Sequence, residues 1–193
     1  VIHCSIDIET FATTNNPAIV SIGACKFDPD GENGKIMDNP FHEPIGWKDA
    51  TEHGDIDPHT MMWWLSQNPF AIASLKIDGP PLLSALLKLN AWWNTEARPT
   101  CIWSHTFDTV ALRSAYGTQD GITPPWHYRA ERDIRTLTEL WMRVHPNKIK
   151  YDGPQTDNQN KHHALADAIH QASYIQGMLQ TMQYQDLEAK TVS

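Results

Sequence analysis

From Ile2 onward apolar and polar residues alternate: Ile2, Cys4, Ile6 and Ile8 take one set of positions, His3, Ser5, Asp7 and Glu9 the other. A period of two places the sets on opposite faces of a strand. A loop through Asn15-Asn16-Pro17 leads to a second strand over Ile19–Phe27. Asp28-Pro29-Asp30-Gly31 and Gly34 then supply turn chemistry for a hairpin to a third strand near 35–41. Pro58 opens a helix carrying Met61, Met62, Trp63, Trp64 and Leu65; Pro69 interrupts it and a short helix follows. After Gly79-Pro80-Pro81 comes an amphipathic helix with Leu82, Leu83, Leu86, Leu89 and Trp93 as its apolar stripe. Cys101–Ser104 reads as a short buried strand, and 107–116 as a helix capped by Ser104 or Thr106. A Pro/Gly-rich loop over 117–125 leads to Asp133-Ile134 and a helix over 136–144. The polar stretch 146–160, with Gly153-Pro154, predicts a flexible loop. The last helix is expected over 163–182, followed by a frayed polar tail, 183–193. Strands first, then helices alternating with single strands, predict one α/β or α+β domain over 1–182 with a mixed sheet.

Composition narrows the class. At 193 residues and 40% hydrophobic, the chain can bury a real core and is too apolar for disorder. No apolar run approaches the ~18 residues of a membrane span. Lys and Arg number 15 against 23 Asp and Glu, a net charge of −8, which argues against a general basic groove for nucleic acid. Cys4, Cys25 and Cys101 are an odd set without CxxC spacing and read as buried small hydrophobes in a reducing cytosol. The N-terminus lacks a signal-peptide pattern, so a cytoplasmic location is expected, and the absent initiator Met is read as processing or trimming.

The candidate chemistry lies in carboxylates. Asp7 and Glu9 share one strand face, and two like charges side by side call for a cation. Divalent hard ions prefer such oxygen ligands, although a solvated strand face explains the pair equally well. Asp108 falls on the first turn of a helix, where the helix dipole alone accounts for it. His162 and Asp167 are five residues apart, and on one helix they would diverge by about 140°. They converge if His162 precedes the helix and Asp167 lies within it. A His so placed would suit a general base. No Ser or Cys nucleophile motif competes; Cys4 belongs to the apolar face of its strand. His105, His163 and His170 do not form a zinc pattern.

Three segments, in order and spacing, resemble the motifs of the DEDDh (DnaQ-like) 3′→5′ exonucleases. They are Asp7-Ile8-Glu9-Thr10, Phe107-Asp108, and His162-x-Ala-x-x-Asp167. A smaller branch, the bacterial and phage 3′→5′ exoribonucleases, is resembled through Ser21-Ile22-Gly23-Ala24, Thr60-Met61-Met62-Trp63-Trp64-Leu65-Ser66-Gln67 and Arg132-Asp133-Ile134-Arg135-Thr136. The second motif departs: it reads Trp103-Ser104-His105-Thr106-Phe107-Asp108, where relatives often have Asn and Gly before the Phe-Asp pair.

The resemblance implies an RNase H-like α/β fold, with a five-stranded mixed sheet flanked by helices. It implies two Mg²⁺ or Mn²⁺ ions, about 3.5–4 Å apart. Asp7 would bridge them, Glu9 and Asp167 would complete one site, Asp108 would serve the other, and His162 would be the general base. Thr10 and Phe11 would contact the terminal nucleotide, Phe11 by packing on base or sugar. Of Trp63 and Trp64, one belongs to the core and the other edges the nucleotide cleft; Trp64 is the substrate-binding candidate. Trp92 and Trp103 read as core and Asp133 as structural. Arg98, Arg113, Arg129, Arg132, Arg135, Lys148, Lys150 and Lys161 are mostly solvated charges, a few of which steer phosphates.

The expected function is therefore 3′→5′ exonuclease activity on RNA or DNA 3′ ends, single-stranded or overhanging, with RNA slightly favoured. The alternatives are the same chemistry on DNA, a non-catalytic nucleic-acid-binding module and an RNase H-type endonuclease. A homodimer is expected from the tryptophan-rich helices. The chain reads as a complete, free-standing catalytic domain without membrane association.

Overall fold

The computed structural model describes residues 1–31, 35–75, 78–95, 97–146 and 162–191, with 183–191 described in backbone alone. Among these residues five strands form one sheet in the order β3-β2-β1-β4-β5. The central strand β1 (His3–Thr10) runs antiparallel to β2 (Ile19–Phe27), which pairs antiparallel with β3 (Phe41–Pro44). On its other edge β1 pairs in parallel with β4 (Cys101–Ser104), and β4 with β5 (Glu131–Asp133). The third strand thus begins only at Phe41, the last residue of the expected 35–41. Before it Ile36 makes a single bridge to Phe27, and Asn39, in the left-handed region at φ 64°, turns the chain before Pro40. The three residues of β5 carry no apolar alternation; pairing with β4 makes them a strand.

Among the described residues seven α-helices surround the sheet: α1 (Trp47–His53), α2 (Pro58–Leu65), α3 (Pro69–Leu75), α4 (Leu82–Trp93), α5 (Thr106–Gly117), α6 (Ile134–Val144) and α7 (Ala164–Thr191). Helix α1 was not legible as an element, because it buries only Ala50 and has no apolar stripe. The cap of α5 is His105, between the two expected residues: Ser104 remains in β4 and Thr106 is already helical. Helix α7 continues through the expected tail to Thr191, consistent with the helix-forming Gln, Leu, Glu, Ala and Lys in that stretch. The loop expected at 146–160 falls, beyond Pro146, outside the described residues, as do Lys148, Lys150 and Lys161.

Two cores flank the sheet. Cys4, Ile6 and Ile8 of β1 pack with Leu86 and Leu89 of α4 and Leu112 of α5. On the other face Cys25, Phe27 and Trp103 pack with Leu137 and Trp141 of α6 and Ile175 and Met178 of α7. Each fully buried Leu or Ile contributes about 1.5–3 kcal/mol. Trp92 and Trp103 are buried as expected, and the three cysteines are free thiols in strands. The alternation of β1 therefore aims Ser5, Asp7 and Glu9 toward α7. Gly23 lies opposite Asp7 in the β1–β2 register, and the first turn of α7, at Ala164 and Leu165, occupies the space its side chain would need. Helices α2 and α3 leave Met62, Leu65 and Phe70 exposed. No helix among the described residues is long and apolar enough to cross a membrane.

Candidate active site

Three elements converge on β1. Asp7 and Glu9 leave its α7-facing side, Asp108 comes from the first turn of α5 and Asp167 from the first turn of α7. Oxygens of Asp7, Glu9 and Asp167 lie within 4.8 Å of one another. A second set, Asp7, Asp108 and His105, offers ligand atoms within the same distance. Asp7 belongs to both sets. The four predicted carboxylates are thus brought together, and His105 joins them.

The arrangement is electrostatically uncomfortable without a cation. Burial, then the charges of Asp108, Glu9 and Asp167, push the Asp7 carboxyl well above its ordinary range, although Gln171 opposes this by donating to Asp7 Oδ1 at 2.8 Å. Burial, then Asp167 and Asp108, push Glu9 up to about 8. Burial lifts Asp108 to about 7, against the backbone N–H of His105 and the charge of Arg135. Burial also raises Asp167, against the His162 N–H. Glu9 is only 8% exposed and its carboxylate accepts no hydrogen bond among the described residues. A buried carboxylate without a donor, facing two others, fits a divalent cation.

His162 and Asp167 meet as the spacing requires. His162 precedes α7 in the left-handed region, φ 63°, an uncommon backbone state for a residue with a side chain. Its N–H donates to Asp167 Oδ2 at 3.0 Å, which ties the bend to the helix. The bend sets the imidazole edge-on to Trp63, ring centroids 4.8 Å apart, and to Trp64 at 6.0 Å.

A cleft of about 480 Å³ opens beside Glu9, lined by Thr10, Asp57, Thr60, Trp63 and Trp64 among others. Trp64 is buried, its Nε1 donating to the Thr10 carbonyl at 2.9 Å, whereas Trp63 is 43% exposed. The expected division between the two tryptophans is therefore reversed: Trp64 forms the wall and Trp63 the edge. Phe11 is likewise corrected. It is 1% exposed and packs edge-on against Trp47 in the core, so it has no free face for a nucleotide. Thr10 lines the cleft, its hydroxyl donating to the Ala12 carbonyl.

Asp133 is structural, as expected: it caps α6 through Thr136 N–H and accepts from the N–H and hydroxyl of Thr106. Burial pushes its carboxyl up, but these bonds outweigh it and hold the group below its ordinary value. Arg113 pairs with Glu131, Arg98 donates to the Pro125 carbonyl, Arg129 to the Tyr128 hydroxyl and Arg132 to backbone carbonyls. Arg135 instead lines a second cavity of about 230 Å³ with His105, His170 and Gln171. Gln171 and His105 were not identified from sequence as parts of the site. The signal for Gln171 was its place four residues after Asp167, on the same helix face.

A family model for the 3′-5′ exoribonuclease Rv2179c-like domain matches residues 2–179. No curated protein matches the sequence. Among solved structures, E. coli Exonuclease I in complex with a dT13 oligonucleotide is similar at TM-score 0.65 and 13% identity, over 97% of this chain and 43% of that one. The zinc-bound form of the E. coli enzyme with single-stranded DNA gives TM-score 0.60 at 12% identity, over 97% and 42%. A moderately thermophilic Exonuclease I from Methylocaldum szegediense gives 0.56 at 13%, over 92% and 40%. These likenesses show the fold, the RNase H-like α/β architecture, and the chain spans less than half the length of each.

Proposed function

Because the chain belongs to the 3′-5′ exoribonuclease Rv2179c-like domain family, we propose that it is a metal-dependent 3′→5′ exonuclease releasing nucleoside 5′-monophosphates. The observation that carries this reading is the pair of ligand sets sharing Asp7. Asp7, Glu9 and Asp167 would hold one Mg²⁺ or Mn²⁺, and Asp7 with Asp108 a second. Bound there, the two ions would activate a water, polarise the scissile phosphate and stabilise the departing 3′ oxygen.

The residues of the chain supply the rest. His162 takes the proton of the attacking water, held in place by Asp167 and by the edge contacts of Trp63 and Trp64. The cleft beside Glu9 receives the 3′-terminal nucleotide, with Trp63 at the edge for its base and Thr10 and Trp64 as the wall. RNA is the favoured substrate on the strength of the family. DNA is the second reading, because the similar Exonuclease I structures hold DNA oligonucleotides. The exposed Met62, Leu65 and Phe70 support self-association.

The test is incubation with Mg²⁺ or Mn²⁺ and 5′-labelled RNA, DNA and duplexes with 3′ overhangs. A ladder shortening from the 3′ end, lost in Asp7→Ala, is expected; internal cuts or no cleavage would overturn the reading. His162→Ala should slow turnover by about 10²–10⁴-fold and leave Mn²⁺ binding nearly intact. Full activity in that variant would remove the role given to His162.

A further inference from the structure

We infer that His105 is a nitrogen ligand of the cation held between Asp7 and Asp108, so that this site offers mixed nitrogen and oxygen donors rather than carboxylates alone. The inference rests on the two-metal reading above and adds a residue to it. A ring nitrogen of His105 and oxygens of Asp7 and Asp108 lie mutually within 4.8 Å. The three side chains come from elements that hold them in place: Asp7 from the central strand, His105 from the cap of α5, and Asp108 three residues further on. The His105 N–H donates to Asp108 Oδ2 at 3.1 Å, which locks these two residues into one unit. Asp108 is 5% exposed, and its Oδ1 has no hydrogen bond among the described residues. Asp7 Oδ1 is taken by Gln171, which leaves Oδ2. One carboxylate oxygen from each acid and one imidazole nitrogen thus lie close enough together to share a cation, and the second oxygen of Asp108, on a residue 5% exposed, has no hydrogen bond among the described residues.

The chemical consequence is selectivity. Mg²⁺ favours oxygen donors, whereas imidazole suits transition ions such as Zn²⁺ and Cu²⁺ and raises the affinity of a site for Mn²⁺ relative to Mg²⁺. The site shared by Asp7, Glu9 and Asp167 lacks an imidazole among its close ligand atoms, so the two sites differ in ion preference.

The experiment is electron spin-echo spectroscopy of the full chain with Mn²⁺ alone, beside a calorimetric Mn²⁺ and Mg²⁺ titration. Wild type should show the modulation of a directly bonded nitrogen. His105→Asn keeps a favourable cap for α5 and should lose that modulation. It should also bind Mn²⁺ at one of two sites at least about tenfold more weakly, with a smaller change for Mg²⁺. Thermal unfolding checks that the variant folds, and His105→Gln serves as the second variant. His162→Ala should retain the modulation, which separates the two histidines near the carboxylates. Bound Mn²⁺ without nitrogen coupling, or coupling that survives in His105→Asn, overturns the inference and leaves the two-metal reading standing. Absence of Mn²⁺ binding by wild type overturns both.

Discussion

Gly23→Ala tests whether the site depends on how closely α7 approaches the sheet. Gly23 is opposite Asp7, and a Cβ there would run into the backbone of Ala164 and Leu165. Carbon contacts are comfortable at about 3.5–4.0 Å, so the new methyl would sit more than about 1 Å too close. Backbone atoms cannot rotate away as a side-chain tip can. The start of α7 must retreat, and it carries Asp167 and is preceded by His162. Overpacking costs about 1–3 kcal/mol, and the upper end applies here, a fall in Tm of about 6–12 °C for a chain of this size. A misplacement of about 1 Å can lower turnover by about 10²-fold, so the folded variant should lose both turnover and Mn²⁺ affinity. Gly117→Ala is the control: its Cβ meets nothing within 4 Å, and it should be neutral or slightly stabilising. Circular dichroism melts, Mn²⁺ titration and the exonuclease ladder read the outcome. A Gly23→Ala protein with wild-type Tm and turnover would refute the close-approach argument.

The metal-free protein should lose stability as pH rises. Glu9 and Asp108 have folded-state values of about 8 and about 7, above the ~4 of unfolded carboxyls. Their contribution is present below pH ~4 and is lost as pH rises through about 7 and then about 8. Melts in chelator between pH 5 and 8 should therefore slope downward, and saturating Mn²⁺ should flatten them; a flat chelator profile would count against the cluster. Trp63→Ala should raise KM for a single strand about five- to a hundredfold with little change in Tm. Trp64→Ala should instead cost about 3–5 kcal/mol of stability, and equal effects of the two would contradict their reversed roles. Asp133→Ala removes the cap of α6 and the tie to Thr106, so it should lower stability by about 1–2 kcal/mol while leaving Mn²⁺ affinity in place, as a titration would show.

What the sequence made legible follows the range of its signals. Asp7 and Glu9 stand in a strand whose period of two is visible locally, and β1 lies where that period predicts. The convergence of His162 with Asp167 was legible as a condition on the chain, and the left-handed bend at His162 meets it. Contacts set by tertiary packing were not legible. Trp63 and Trp64 are adjacent and chemically identical; core packing and the hydrogen bond to Thr10 hold Trp64, and neither is visible in the sequence. Phe11 stands at the right corner, but Trp47, on a helix without an apolar stripe, covers it. His105 carries no sequence signal, since its spacing from the other histidines is not that of a zinc site. The groups near it are carboxylates, Asp108 three residues further on and Asp7 on the central strand.

The net charge of −8 seemed to oppose a polyanionic ligand, and the structure locates where that opposition is concentrated. Four acidic side chains from β1, α5 and α7 meet at one place, with cores on both faces of the sheet holding them there. Burial raises the proton affinity of all four, and mutual repulsion adds to it at Asp7 and Glu9. Divalent cations would relieve this, and two of them would halve the formal charge of the chain and reverse the local field. The described arginines offer little substitute, since Arg98, Arg113, Arg129, Arg132 and Arg143 are engaged within the protein, while Arg135 lines a cavity next to the cluster. Attraction for phosphate would then be local to the ions and to the cleft beside Glu9, rather than spread along a basic groove. An acidic chain of this design suits a grip on a strand end over a few nucleotides, and disfavours one on a long duplex.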